Sequence, residues 1–349
     1  MVQRRLFGGL HFKIMAMNSK AFTITTIAVF FGLNGCQAQK SNQNKTLHLD
    51  TSISMPNVHG RIDHLAFDGK TKRIFVAALG NNTVEVVDLK TSKVIHTIKG
   101  LNEPQGIVYI PENNTVFVSN GGNGECIAFD ADTYQKVATV KLVGDADNIR
   151  YDATDKRIYV GYGDGGIAII DANTYKLIAD VKLTGHPESF QIDRVAKRIY
   201  VNVPDERQIE VIDIAKQLVV DRWKMTVANS NFPMSLDEPN HRLFIGCRHQ
   251  PKFLVIDIQI GKTISSYDID RDIDDVFFDS PKKQIYLSCG EGYIDVFNQK
   301  DPNTYISVEK ISSSLGARTS LFVPELNQLI IASPSGFSND AKLLVYVIK

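Results

Sequence analysis

Apolar and polar residues alternate in short runs along most of this chain, and the runs recur in a fixed order. Between residues 62 and 99, "IDHLAFD" alternates, "GKTK" breaks, "RIFVAAL" is almost wholly apolar, "GNN" breaks, "TVEVVDL" alternates, "KTS" breaks and "KVIHTIK" alternates again. Val, Ile and Phe at a period of two, bounded by Gly, Asn, Asp and Lys, predict four short β-strands. No segment sustains an apolar period of 3.6, so helix is expected to be nearly absent.

The same unit returns down the chain. The second-strand signature is "RIFV" at 73–76, "TVFV" at 115–118, "RIYV" at 157–160 and 198–201, "RLFI" at 242–245, "QIYL" at 284–287 and "QLII" at 328–331. Its second residues lie 42, 42, 41, 44, 42 and 44 positions apart. A second marker keeps the beat: "VVD" ends at Asp88, "AFD" at Asp130, "IID" at Asp171, "VID" at Asp213 and Asp257, and "VFN" at Asn298. Two markers with one period of 40–45 residues and four strands per period describe the blades of a β-propeller. Seven anchors predict seven blades in an all-β fold of antiparallel strands. The seventh unit ends after its third strand, "KLLVYVI", and the strand-like "KTLHLDTSISM" at 45–55 precedes the first unit. Residues 46–349 are therefore expected to form one domain, its ring closed by an N-terminal strand that completes the last blade and removes an exposed edge.

The strand "RIYVNV" (198–203), the "VID" endings and their turns resemble the YVTN-type β-propeller family of secreted, often cell-surface, seven-bladed proteins. "AALGNNTVEVVD" (77–88), "GDADNIRYD" (144–152), "GHPESF" (185–190), "NFPM" (231–234) and "GARTSLFVPE" (316–325) resemble the bacterial propellers labelled YncE-like. The resemblance implies the fold and brings no settled activity. One tryptophan, Trp223, cannot supply the Trp-Asp ending that a WD40 propeller needs in each blade.

The first 35 residues read differently. Arg4, Arg5, Lys13 and Lys20 precede the apolar run "AFTITTIAVFFGLNG" (21–35), and Cys36 follows. A basic region, a short apolar region and then "LNGC" are the pattern of a lipoprotein signal, with Cys36 acylated as the new N-terminus. "QAQKSNQNK" (37–45) is then a polar tether, so 36–45 separates anchor from propeller. The expected location is the bacterial cell envelope, held to the membrane by lipid on Cys36, or the extracellular space. Cys126, Cys247 and Cys289 are an odd number at irregular spacing, which fits neither a disulfide framework nor a CxxC metal site. Lys and Arg total 39 and Asp and Glu total 39, so no net basic charge points to a nucleic-acid partner. Nothing suggests more than a monomer.

Aligning the units on the second-strand anchor gives the charged residues a common place. One register holds Asp63, Gln105, Asp147, Glu188, Phe232, Asp274 and Arg318, and the next holds His64, Gly106, Asn148, Ser189, Pro233, Asp275 and Thr319. In a propeller this segment leads into the strand that lines the central channel. The ligand-binding rim is therefore expected to comprise Asp63, His64, Gln105, Asp147, Asn148, Arg150, Glu188, Asp274, Asp275 and Arg318. Converging carboxylates raise one another's pKa unless cations offset them. Asp147, Glu188 and Asp274 are candidate ligands for Ca²⁺ or Mg²⁺, which prefer hard oxygen donors.

The resulting expectation is a non-enzymatic binding propeller, taking a cation, a small molecule or a protein partner at the acidic rim. A metal-dependent hydrolase or lactonase using the same carboxylates, with His64 as base, is one alternative. A structural adhesin using the outer blade edges is another. No HExxH, Walker or GxSxG pattern is present, "DIDRDIDD" (268–275) lacks the central Gly and final Glu of an EF-hand loop, and "GYGDGG" (161–166) reads as a hairpin turn. Replacing Cys36→Ser is expected to move the protein from the membrane fraction to a soluble one in a bacterial host, with the N-terminal mass reporting whether lipid was lost or the signal left uncleaved.

Overall fold

A computed structural model describes residues 45–336 and 338–349; Cys36, the signal and most of the tether lie outside the described residues. The described chain forms seven sheets of four antiparallel strands; six pair strands in sequence order, and the seventh adds the first strand of the described chain to its last three. The inner strands are Leu65–Asp68, Pro104–Ile110, Ala146–Asp152, Phe190–Asp193, Asn229–Asp237, Ile273–Asp279 and Ser320–Val323, in blades 1 to 7. Helical structure among the described residues is limited to two single turns, Leu79–Asn81 and Pro324–Leu326. The outer strand of blade 7 is Leu47–Met55, which pairs antiparallel with Ala341–Ile348, so both ends of the described chain share one blade.

Why the second strands are almost wholly apolar follows from how the blades stack. In blade 1 every residue of Arg73–Ala78 is buried. Ile74, Val76 and Ala78 pack in the seam with blade 7, while Phe75 and Ala77 pack in the seam with blade 2. Ile158 and Val160 of blade 3 likewise face blade 2, and Tyr159 faces blade 4. Successive side chains of a strand leave opposite faces. A strand covered on both faces is therefore apolar at successive positions, as in the "IYV" of "RIYV". The seven apolar clusters are the seven seams of the ring, and no larger central core exists among the described residues. Cys126, Cys247 and Cys289 are buried free thiols within three of these seams.

The repeating aspartates are turn residues. Asp130, Asp171 and Asp213 end third strands, and each accepts the backbone N–H groups two and three residues on, at 2.7 to 3.1 Å. Those bonds hold the three carboxyls below the usual carboxylate range. The residue just before each second strand has positive φ in all seven blades: Lys72, Asn114, Lys156, Lys197, His241, Lys283 and Asn327. "GYGDGG" is the expected hairpin, joining Arg157–Tyr162 to Gly166–Asp171, with positive φ at Gly163 and Gly165.

The meander also fixes which loops share a face. Inner strands start, and outer strands finish, on the face that carries the channel mouth; Leu47 starts an outer strand and lies on the opposite face. Removing residues 37–43 is expected to change the melting temperature by no more than about 2 °C. Removing 37–56 deletes Leu47, Ile53 and Met55 from two seams and opens the edge of Ala341–Ile348. That deletion should lower the melting temperature by roughly 10 °C or more and promote aggregation in a thermal scan.

Candidate functional site

The inner strands reach the channel mouth through a break in their pairing. Register shifts fall between Pro104 and Ile107, Ala146 and Ile149, Asn231 and Met234, and Ile273 and Asp275. A bulge turns side chains out of simple alternation. Asp147 and Asn148 occupy the bulge of blade 3, and Asp274 that of blade 6. In blades 1 and 4 the mouth segment continues the pairing instead: Asp63 N–H donates to Ala77 O at 2.8 Å and Glu188 N–H to Asn202 O at 3.0 Å.

These four carboxylates meet around the mouth, and they are not equivalent. Asp63 is buried and paired with Arg61 at 2.7 Å, with His64 Nε2 3.8 Å away. Asp274 is paired with Arg248, and Arg318 Nε lies 2.9 Å from its Oδ2, close enough for an ion pair though not aligned as a hydrogen bond. Arg318 also holds Asp272 through two bonds of 2.8 and 3.0 Å. Arg248 lies over the Phe232 ring at 3.8 Å and donates to Ile273 O at 2.8 Å.

Asp147 and Glu188 have no such partner: among the described residues neither forms an ion pair within 4.0 Å. Asp147 is 7% exposed, and its Oδ1 is buried without a hydrogen bond from the described residues. Burial, then the charges of Asp63 and Glu188, push its carboxyl up to about 8, against the opposing pull of His64 and His186. Glu188 is pushed up to about 7 by burial and by Asp274 and Asp63, with Arg248 and Arg61 opposing.

The next layer lies deeper. Arg150 donates to Asn148 Oδ1 at 3.3 Å, to Ile149 O at 2.8 Å and to Ser189 Oγ at 3.0 Å, and lies over the Phe190 ring at 5.4 Å. Asp275 accepts the Ser320 N–H at 2.6 Å, and burial followed by Asp274 holds its carboxyl well above the usual range.

The expected rim residues thus divide. Asp63, Asp147, Glu188 and Asp274 act on one another, with Arg61 within reach of all four. His64, Asn148, Arg150 and Asp275 lie at or below them. Gln105 turns aside, its amide donating to Asp145 at 3.2 Å, and Arg318 serves as counter-ion to Asp272 and Asp274. Asp147, Glu188 and Asp274 interact through charge and not as one coordination shell: among the described residues no group of three His, Cys, Asp or Glu side chains is arranged to hold a metal ion. In "DIDRDIDD", Asp268 pairs with Lys252, Asp270 with Lys310, and Asp272 and Asp274 with the arginines. Arg248 is the mouth residue that sequence register does not reveal, because it ends a second strand and reaches across to the neighbouring blade.

No protein-family model matches the chain. Among solved structures it is similar to a chain of the Kuenenia stuttgartiensis hydrazine synthase, with a TM-score of 0.69 at 15% identity over 85% of this chain and 97% of that one. It is also similar to a chain in the crystal structure of a mitotic checkpoint complex, with a TM-score of 0.74 at 13% identity over 93% of this chain and 99% of that one. At these identities the likeness is one of fold, and it agrees with the seven-bladed ring.

The raised carboxyls make stability depend on pH in a defined direction. A folded-state pKa above the unfolded value means that the folded state binds more protons, so stability falls as pH rises from about 3.8 to about 8. Asp147→Asn removes that loss. The variant should match the wild type within ~0.5 kcal/mol at pH near 4 and exceed it by roughly 1–3 kcal/mol at pH near 8.5 in denaturant titrations.

Proposed function

We propose that this chain is a non-enzymatic binding propeller whose channel mouth receives a positively charged group. One observation carries the reading: Asp147 is almost fully buried, faces Asp63 and Glu188, and leaves an oxygen without a partner, while the neighbouring acids Asp63 and Asp274 have arginines of their own. A buried polar atom without a partner is costly, and a cation entering between Asp147 and Glu188 would satisfy it and displace their protons. Of the serines lining the channel cavity, Ser320 bonds the buried Ser288 at 2.7 Å and Ser189 accepts from Arg150 at 3.0 Å, so neither of these two is paired with a histidine.

The same reading places the protein among YVTN-type propellers of the bacterial cell envelope, tethered by lipid at Cys36. Leu47 starts on the face opposite the channel mouth, so the tether would join the propeller on that face.

Calorimetric titration with putrescine and, separately, with Ca²⁺ tests the mouth. Binding of at least one is expected, weakened tenfold or more, ~1.4 kcal/mol, by Asp147→Asn. No binding of either, or binding unaffected by Asp147→Asn, would sink the proposal.

A further inference from the structure

Below the mouth lies a cavity of about 280 Å³ to which all seven blades contribute lining residues. That is near the lower end of the range for small-molecule pockets. Two charged groups look into it. Arg150 comes from blade 3 and Asp275 from blade 6, as far across a seven-bladed ring as two blades can be.

They do not pair. Among the described residues no carboxylate oxygen lies within 4.0 Å of the Arg150 guanidinium, whose three hydrogen bonds go to an amide oxygen, a backbone carbonyl and a hydroxyl. Asp275 has one hydrogen bond, from a backbone N–H, and no cation within the same distance. Every close arginine at the mouth has a carboxylate in contact, so the separation below is specific to this layer. Separated charges in a confined channel forgo both full hydration and mutual attraction. Burial accordingly drives each toward its neutral form, lowering Arg150 and raising Asp275. The walls between them include Leu65, Met234, Phe277 and Phe322, which suit a hydrocarbon segment.

We infer that this cavity is a binding site for a small zwitterion, with the ligand's carboxylate on Arg150 and Ser189, its ammonium on Asp275 and its carbon chain against the apolar wall. A planar guanidinium with a neighbouring hydroxyl is suited to a carboxylate. A ligand with one charge satisfies one side of the cavity and leaves the other as it was. The zwitterion satisfies both, so its two ends bind better together than apart. The inference deepens the proposed function and rests on it only in taking the channel as a binding site, since Arg150 and Asp275 are distinct from the Asp147 locus.

The test is a length series of ω-amino acids, from glycine to 6-aminohexanoate, titrated into the wild-type protein at up to about 10 mM. Hexylamine and hexanoate serve as singly charged controls. One chain length should bind best, at least tenfold more tightly than either control, and Arg150→Gln and Asp275→Asn should each cost tenfold or more. The wild-type comparison stands even where a variant fails to fold. Absence of binding across the series, or equal binding of the singly charged controls, overturns the inference. Putrescine binding that depends on Asp147 would survive that outcome, so the two readings fail separately.

Discussion

Everything in this molecule depends on the burial of each blade between two others. The second strands have no solvent face: Phe75 and Ile74 are adjacent in sequence yet belong to different seams. A single blade would leave one of those faces in water, and a row of blades would leave two ends exposed. Only a closed ring covers all of them. In this chain the closing blade combines strands from both ends of the described residues. Leu47–Met55 pairs with Ala341–Ile348 and also supplies Ile53 and Met55 to the blade 7 and blade 1 seam, joining the two ends of the described chain by hydrogen bonds and by apolar contact.

A closed ring has a consequence for charge. Its inner strands bring seven equivalent positions together around one axis, whatever residues occupy them. Asp63, Asp147, Glu188, Asp272, Asp274 and Asp275 are drawn together this way, with Arg61, Arg150, Arg248 and Arg318 among them. Such a cluster could form a wholly self-compensated network, and half of it does. Asp63, Asp272 and Asp274 each touch a guanidinium. Asp147, Glu188 and Asp275 do not, although arginines reach them through the field.

How much of this could be read from the sequence follows from the range of each interaction. The blade count, the four-strand unit and the closing strand are local or periodic: apolar alternation, turn residues and a repeated spacing announce them. The shared register of Asp63, Asp147, Glu188 and Asp274 is legible for the same reason, since a repeat maps equivalent positions onto one ring. Pairing is not legible. Arg248 reaches Asp274 and Asp272 from a second strand of the neighbouring blade, and Arg318 reaches back to Asp272 from the next one. Gln105 shares the register of the acids yet bonds Asp145 outside the cluster, because a register fixes where a side chain starts and not where its end group goes. The seven positive-φ residues before the second strands are likewise hidden, since four of them are lysines, which carry no left-handed signal.

The proposed binding role rests on the distribution of unpaired groups along the channel. A structural network gains most by matching every ion, because each unmatched buried charge costs more than the pair it could have formed. Here the cations exist: Arg248 and Arg318 both crowd Asp274, and Arg318 spends two further bonds on Asp272. Asp147, across the same mouth, has none, and below it Arg150 and Asp275 face one cavity without meeting. Arg248 from blade 5 and Arg318 from the start of blade 7 converge on the acids of blade 6, whereas Asp147 of blade 3 and Glu188 of blade 4 have no guanidinium in contact among the described residues. An interior that pairs some charges twice and leaves others open along the channel has a polarity fixed by the fold, and a ligand of matching charge is what the proposed function would add to it.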